Sequence, residues 1–261
     1  KCRCVDMNVF AGIQFGIRKG LRYKVNTYSW FLADLALYAS VILMYFLIST
    51  TFTSFGAYTK TEMGLYISTY FIINNLFAVL FSEAVSEYGA SILNGSFSYY
   101  QLTPVGPLRS LILLNFNFAA MLSTPALLAM NIYFVVQLFT TPVQVILYYL
   151  GVLFACGTML FVFQTISALL LFGVRSSAIA SAMTQLFSIA EKPDMVFHPA
   201  FRKVFTFVIP AFLFSAVPSK VMLGTAAVSE IAALFLSPLF FYALFRILEL
   251  MGCRKFQHSG F

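Results

Sequence analysis

The stretch VQVILYYLGVLFACGTMLFVFQTISALLLF, residues 143–172, contains no charged side chain. An α-helix rises 1.5 Å per residue, so this run makes a helix of about 45 Å, longer than a bilayer's hydrocarbon core of about 30 Å. The run lacks the alternation of apolar and polar residues that marks the strands of a membrane barrel. It predicts a membrane-spanning helix that tilts or projects beyond the bilayer.

The composition of the whole chain agrees with that prediction. Of 261 residues, 61% are hydrophobic and 10% are charged, with a mean hydropathy of +0.88. Soluble domains contain about 45–50% apolar and about 25% charged residues. The length accommodates one membrane domain over residues 1–261, with no soluble catalytic domain beside it. We therefore predict an all-α, polytopic membrane protein.

Other apolar runs of suitable length predict further spans, at residues 30–50, 64–81, 111–139 and 226–245. We expect the third to kink near Pro125. Asn74 and Asn75 lie inside the second, where amides usually bond to neighbouring helices. Asp34 lies one turn inside the first. We interpret it as a capping or snorkelling group near the cytoplasmic surface, with a transport role as the alternative.

The beginning of the chain is strongly basic. Six Lys and Arg residues against Asp6 place +5 of the formal +7 in the first 24 residues. Beside a span, such a cluster indicates a cytoplasmic flank that contacts anionic lipid rather than nucleic acid. Residues 8–24 predict an amphipathic surface helix, in which Gly12, Gly16 and Gly20 form either a flat side or a dimer contact. No cleavable signal peptide is evident, so we expect the first run to be retained.

Two topologies compete over residues 174–224. In one, residues 174–190 span the membrane and residues 204–224, interrupted by Pro210 and Pro218, dip in from outside and return. In the other, residues 174–190 lie on the cytoplasmic face and residues 204–224 span. The second keeps the basic residues of 191–203 inside, which the positive-inside rule favours. Both place the two termini in the cytoplasm.

A more polar stretch, SEAVSEYGASILNGSFSYYQLTPVGPLRS, occupies residues 82–110. Its turn residues predict a short helix, a break at residues 94–95, a second short helix and a stop at the prolines. Counting spans from a cytoplasmic start places this stretch in the cytoplasm.

Several kinds of chemistry have no motif in this sequence. G-x-x-x-x-G-K-[ST], H-E-x-x-H and G-x-S-x-G do not occur, so the chain has no phosphate-binding loop and no motif of those enzyme classes. The predicted spans contain few ionisable groups, with Asp34 and Glu230 near span ends, which counts against a proton-coupled carrier. We therefore predict a non-enzymatic chain that binds no metal and no cofactor. Any pumping must draw its energy from a partner.

The string ILNGSFSYYQLTPVGP, residues 92–107, resembles the cytoplasmic loop between spans 2 and 3 of type-2 ABC exporter permeases. The resemblance is closest to a bacterial subgroup of similar length, encoded with an ATPase and often with a second permease. Pro199, Arg202, Pro210 and Pro218 match a second pattern of that subgroup. One departure is that the aromatic run Phe97–Tyr100 follows Ser96, where the subgroup has an acidic or polar residue and an aliphatic helix.

The resemblance implies six spans, with residues 174–190 as the fifth and residues 204–224 as an external re-entrant segment containing Pro210, Pro218 and Lys220. It implies a coupling loop that docks on an ATPase through Gly95, Phe97, Tyr99, Tyr100, Leu102 and Pro104. The implied partners are two ABC ATPase subunits, which hold ATP and Mg, a second permease copy, identical or paralogous, and membrane lipids, but no nucleic acid. The implied location is the bacterial plasma (inner) membrane.

The expected function is the membrane subunit of an ATP-driven ABC exporter. With 31 Phe and 14 Tyr, a pathway through the spans has apolar and aromatic walls, which suit an amphiphilic or hydrophobic cargo such as a lipid, peptide or drug. The alternatives are a secondary transporter or channel, and a non-transporting membrane scaffold.

Overall fold

The computed structural model describes residues 9–51, 58–103, 106–138 and 141–258. Within these ranges all regular secondary structure is helical, which confirms the predicted all-α class. The α-helices are α1 (Val9–Arg22), α2 (Lys24–Thr51), α3 (Lys60–Phe77), α4 (Glu83–Leu93), α5 (Phe97–Gln101), α6 (Pro107–Leu114), α7 (Phe118–Gln137), α8 (Pro142–Ala168), α9 (Ser176–Ala190), α10 (Pro199–Phe207), α11 (Ala216–Leu223) and α12 (Val228–His258).

Five helices in the described part of the chain are long and apolar enough to cross a membrane. They are Lys24–Met44, Lys60–Leu93, Phe118–Gln137, Pro142–Phe172 and Val228–Arg254. The chain is therefore a multi-pass membrane protein. Neither candidate for the remaining predicted span reaches this length: α9 has 15 residues, about 22 Å of helix, and residues 204–224 do not form one helix.

The second long helix extends well beyond the predicted span of residues 64–81. α3 continues through a π-helical turn, Ala78–Ser82, directly into α4, so no break occurs at residue 82. A π-turn takes backbone groups out of the regular helical ladder. Here the N–H of Asn117 donates to the carbonyl oxygen of Val79 at 3.0 Å. The irregular turn is thus tied to the junction between α6 and α7.

The prediction of one continuous third span over residues 111–139 is wrong, because the apolar run contains two asparagines that cap helices. The Asn115 side chain donates to Leu111 O at 3.0 Å where α6 ends. The Asn117 side chain accepts from the N–H of Ala120 at 3.1 Å and caps α7. α7 then continues through Pro125 to Gln137.

The three evenly spaced glycines of α1 pack against that same junction. An ideal Cβ on Gly12 would lie 2.0 Å from the backbone oxygen of Leu113. Cβ atoms on Gly16 and Gly20 would lie within 3.0 Å of Phe116 and Phe118 side chains, respectively. The glycine spacing is therefore explained by a close contact within one chain, which the alternatives of a flat side and a dimer contact did not include.

Helices α8 and α12 form the main packed pair of the bundle. Gly151 on α8 leaves space for Leu234 on α12, whose methyl group would lie 3.0 Å from an added Cβ. Two turns further along α8, the hydroxyls of Thr158 and Ser237 share a hydrogen bond of 2.7 Å. The pair is thus fixed by both close packing and a buried polar contact.

Polar side chains inside the bundle bond to one another. The Asn75 amide donates to Ser123 Oγ at 3.0 Å, which confirms the expected bond to a neighbouring helix. The Tyr148 hydroxyl accepts from the Asn131 amide at 2.6 Å and shares a 2.8 Å hydrogen bond with Thr69. These contacts join α3, α7 and α8.

The proline-rich segment is a pair of helices separated by a break. Pro210 follows the end of α10 and precedes a 3₁₀ turn, Ala211–Phe214, which leads into the buried helix α11. Pro218 occupies the third position of α11. The first N–H groups of a helix have no partner within it, so a proline there costs no hydrogen bond. The segment is interrupted before each proline, at residues 208–210 and at Ser215, and Pro218 lies in the first turn of the helix that follows the second break.

We expect Gly12→Ala to lower the melting temperature of the detergent-purified protein, because its methyl group would meet backbone rather than a movable side chain. Overpacking of this kind costs about 1–3 kcal/mol. The matched control is Gly89→Ala, whose Cβ would meet only a Leu170 methyl at 3.3 Å. Equal melting temperatures for the two variants would contradict the close contact of α1.

Candidate functional site

The elbow, residues 94–106, connects α4 to α6. The Asn94 N–H donates to Ala90 O at 2.9 Å, and Gly95 then takes a positive φ of 72°. That conformation is accessible to glycine at little cost, so the chain reverses there and begins α5. Gly106, with φ 80°, precedes α6. The predicted break at residues 94–95 is confirmed, and Pro104 lies outside the described residues.

Phe97 fixes α5 to the bundle. Its side chain is 1% exposed, and its ring lies 5.3 Å from the ring of Tyr88 in an edge-to-face contact. The two belong to an apolar cluster with residues of α6, α8, α9 and α12 and the 3₁₀ turn after α8, namely Leu111, Ala168, Leu170, Leu171, Ile179 and Phe245. The base of the elbow therefore contacts the ends of several long helices at once.

Two apolar residues of the elbow, Tyr99 and Leu102, point outward. Tyr99 is 71% exposed and Leu102 is 85% exposed. Tyr100 is partly buried and packs against Tyr99, with ring centroids 5.7 Å apart. Burial raises the pKa of the Tyr100 hydroxyl above its usual value, so it remains a neutral hydrogen-bonding group. Tyr99 and Leu102 thus form the exposed tip of the elbow, and the buried Phe97 is its anchor.

Polar contacts tie the elbow to α12, and sequence reasoning did not find them. The Gln101 amide donates to Cys253 Sγ at 3.0 Å. The Tyr88 hydroxyl donates to the Glu249 carboxylate at 3.4 Å, and Arg246 pairs with the other carboxylate oxygen. Gln101 and Cys253 are far apart in the chain and lie in no recognisable motif, so the sequence carries no signal for this contact.

A cluster of charged side chains lies at the opposite end of the bundle. Lys220 Nζ is 2.6 Å from Asp194 Oδ2 and 3.1 Å from Glu230 Oε1. Asp194 is fully buried and Lys220 is nearly so. Arg202 Nε is 3.7 Å from Asp194 Oδ2, too long for a hydrogen bond but close enough for an ion pair. We call Asp194, Arg202, Lys220 and Glu230 the charge cluster.

Two tyrosines, Tyr58 before α3 and Tyr66 within it, complete the surroundings of the charge cluster. The Tyr58 hydroxyl donates to Asp194 Oδ1 at 2.9 Å. Burial, and after it the neighbouring Asp194 carboxylate, raise the pKa of Tyr58 well above its usual value, so the phenol stays protonated as a donor. Tyr66 lies within 2.9 Å of the Ser215 hydroxyl and of two backbone carbonyl oxygens, at positions 190 and 192.

The charge cluster connects four separate elements. Asp194 lies in the loop after α9, Arg202 on α10, Lys220 on α11 and Glu230 in the first turn of α12. Of the predicted residues of the re-entrant segment, Lys220 belongs to the cluster, while Pro210 and Pro218 shape the backbone before it. Glu230 was predicted near a span end, and no local pattern in the sequence brings it together with Asp194.

Two cavities accompany these sites. One of about 510 Å³ lies between α1, α2, the π-turn and the α6–α7 junction, and Asp34, Lys19 and Glu83 line it. Within the described residues Asp34 makes no hydrogen bond or ion pair, so the structure shows no capping contact for it. The other, of about 370 Å³, adjoins the charge cluster and is lined by Arg202 and Lys220, among others.

We expect Lys220→Met to destabilise the protein strongly, because it leaves the buried Asp194 carboxylate without its closest cation. Breaking a buried pair in this way costs about 3–5 kcal/mol. The double variant Asp194→Leu/Lys220→Met should recover much of the loss, whereas Lys192→Met, at an exposed site of the same region, should melt like the wild type. If Lys220→Met and Lys192→Met have equal melting temperatures, the ion pair does not stabilise this end.

Comparison with known proteins places this arrangement in a family. The family model described as ABC-2 family transporter protein matches residues 35–260, which include the elbow and the charge cluster but not α1. No curated protein and no solved structure matches the chain. ABC-2 transporters in general pair their membrane subunits with ABC ATPase subunits. The chain therefore belongs to the ABC-2 transporter family and is a membrane permease subunit of an ABC transporter.

Proposed function

We propose that this chain is the membrane subunit of an ATP-driven exporter and that its elbow docks onto a separate ATPase subunit. The observation that carries the proposal is the outward exposure of Tyr99 and Leu102 on a helix whose base, Phe97, is buried. Tyrosine is among the residue types that contribute most of the binding energy of protein interfaces, and the exposed leucine beside it adds apolar area that a partner can bury. The buried anchor reduces the entropy lost when the tip is covered by a partner.

The distribution of basic residues supports a cytoplasmic elbow. Of the Lys and Arg positions in the described residues, nine lie at the elbow end and five at the other end, a bias that favours the elbow end as the cytoplasmic one. The nine are Arg18, Lys19, Arg22, Lys24, Arg109, Arg175, Arg246, Arg254 and Lys255. In this orientation the tip faces the compartment that contains ATP.

The same orientation leads to the six-crossing topology. In it α9 makes the fifth crossing, the segment from α10 to α11 forms the external re-entrant element, and both termini lie in the cytoplasm of a bacterial inner membrane. The path of α9 supports this: Ile179 near its beginning belongs to the cluster at the elbow, and Ala190 at its end contacts Tyr66 at the opposite end. Phe187 packs between these levels, 4.9 Å from Phe163.

The proposed mechanism uses the contacts at the base of the elbow. ATP and Mg bind to the partner ATPase subunits, and their closure displaces α5. Because Phe97 packs among residues of α4, α8 and α12, this displacement acts on all of these helices together. Two permease copies, identical or paralogous, would form the pathway. The exposed apolar face of α2, with Leu32 and Leu43 60% and 58% exposed, is available for the second copy or for lipid.

The expected cargo is an amphiphilic or hydrophobic molecule such as a lipid, peptide or drug. The described spans contain few ionisable side chains, which weakens the case for a secondary transporter driven by protons or ions. An ATP-independent flux would instead favour that class. ATPase binding without any flux would favour a scaffold.

We expect Tyr99→Ser/Leu102→Ser to reduce the co-purified ABC ATPase at least tenfold, because two exposed apolar contacts are lost from the proposed interface. The tagged chain is expressed in its native host, and the ATPase is identified by its Walker A peptide and by ATP turnover. The matched control is Val196→Ser/Val228→Ser, which changes side chains 74% and 83% exposed in the region of the charge cluster. Equal ATPase recovery and turnover in both variants would refute docking at the elbow.

We also expect position 198 to be accessible from outside the cell. In a background with Cys2, Cys4, Cys156 and Cys253 replaced by Ser, His198→Cys should react with an impermeant maleimide applied to intact spheroplasts. Ser98→Cys, at an exposed position of the elbow, should react only after permeabilisation. The reverse pattern would show that the charge-cluster end is cytoplasmic and that the proposed orientation is wrong.

A further inference from the structure

The cavity of about 370 Å³ beside the charge cluster has an excess of positive charge. Arg202, Lys203 and Lys220 line it against the single carboxylate of Glu230. Asp194, which lies behind it, brings the local formal charge to +1, from three cations and two carboxylates. A cavity with this balance attracts anions.

The three cations are not equally available. Lys220 is 6% exposed and already lies within 3.1 Å of two carboxylates, so its charge is neutralised where it stands. Arg202 approaches Asp194 only at 3.7 Å, and its side chain is 28% exposed. Within the described residues, neither the Arg202 guanidinium nor the Lys203 ammonium donates a hydrogen bond. The N–H donors that remain available to a ligand are therefore those of Arg202 and Lys203, and Lys203 carries the excess positive charge.

Apolar groups lie directly beside these donors. Phe207 and Met195 line the same cavity, and on α10 the neighbouring Phe201 and Val204 are exposed. Helix α10 thus presents basic and apolar side chains together. Such a surface binds an anionic group through its cations while a chain lies along its apolar side chains.

We propose that this cavity is a binding site for the oxyanion headgroup of an amphiphile, held by Arg202 and Lys203. Guanidinium groups bind phosphate oxygens in a bidentate manner, and a lysine adds a mobile point charge. As a statement about the cargo, which would be received here at the external end, the proposal rests on the proposed transport function. It narrows the cargo class from amphiphiles in general to anionic ones.

The test measures binding to the detergent-purified chain without ATPase or nucleotide. The probe is dihexanoyl phosphatidic acid, compared with dihexanoyl glycerol, which lacks the phosphate, and with inorganic phosphate, which lacks the chains. We expect phosphatidic acid to bind at least tenfold more tightly than either. Equal binding of inorganic phosphate would overturn the amphiphile assignment, and equal binding of dihexanoyl glycerol would overturn the oxyanion site.

The variants locate the site. Lys203→Gln and Arg202→Gln should each weaken phosphatidic acid binding about tenfold, because a charge-assisted hydrogen bond is lost. Lys203 is exposed and Arg202→Lys keeps the charge at position 202, so reduced binding is separable from misfolding when the melting temperature is measured alongside. Lys192→Gln, outside the cavity, should bind like the wild type. If Lys203→Gln and Arg202→Gln also bind like the wild type, the site is wrong.

The outcome is distinguishable from that of the elbow experiment. Tyr99→Ser/Leu102→Ser changes the opposite end and should leave phosphatidic acid binding unaltered. If this variant loses the ATPase but still binds phosphatidic acid, the two sites are independent, and the result supports the anion site in the cavity. If the wild-type chain docks the ATPase but does not bind phosphatidic acid, the anion site is refuted and the proposed function is unaffected.

Discussion

The hydrogen bond from the Asn117 N–H to Val79 O joins the π-turn to the α6–α7 junction. The structure of the elbow end, which is the cytoplasmic end in the proposed orientation, depends on these two irregularities. Inside a bilayer, backbone groups released from a helix need partners within the protein. The π-turn releases a carbonyl group, and the α6–α7 junction releases an N–H group. The hydrogen bond between them gives each group a partner. The extra residue of a π-turn also rotates the helix beyond it by roughly 100°. With this rotation, α4 directs Tyr88 into the apolar cluster that contains Phe97 of the elbow.

The long apolar runs were sufficient to predict the helical membrane class and the approximate place of five long helices. Their boundaries depended on polar residues whose roles the sequence does not separate. Asn75 lies inside a continuous helix because Ser123 on α7 accepts its amide hydrogen bond. Asn117 caps a helix start because the chain already breaks there. The same residue type in the same apolar context thus has opposite effects, decided by tertiary partners that no local pattern contains.

The elbow was predicted only in part, for a related reason. Gly95 and the polar residues around it mark a turn whatever the surroundings, so the break was found. Phe97 and Tyr99 are both aromatic, and only the packing against Tyr88 decides that the first is buried and the second exposed. The charge cluster was missed because its members are widely spaced. The positive-inside rule counts formal charges, whereas Lys220 is neutralised by two carboxylates and exerts little of the charge that the rule assigns to it.

The two ends of the molecule are connected by a pair of helices that leaves little room for independent movement. Near the charge cluster α8 and α12 meet at Gly151 and Leu234, and near the elbow a Cβ on Gly252 would lie 2.6 Å from Leu171. Close-packed interfaces of this kind shift between discrete arrangements rather than deform gradually. In the proposed mechanism, a displacement of α12 at the elbow also moves its first turn, which carries Glu230. Because Glu230 and Asp194 share Lys220, such a movement changes how that cation is divided between its two carboxylates and how much positive charge faces the neighbouring cavity.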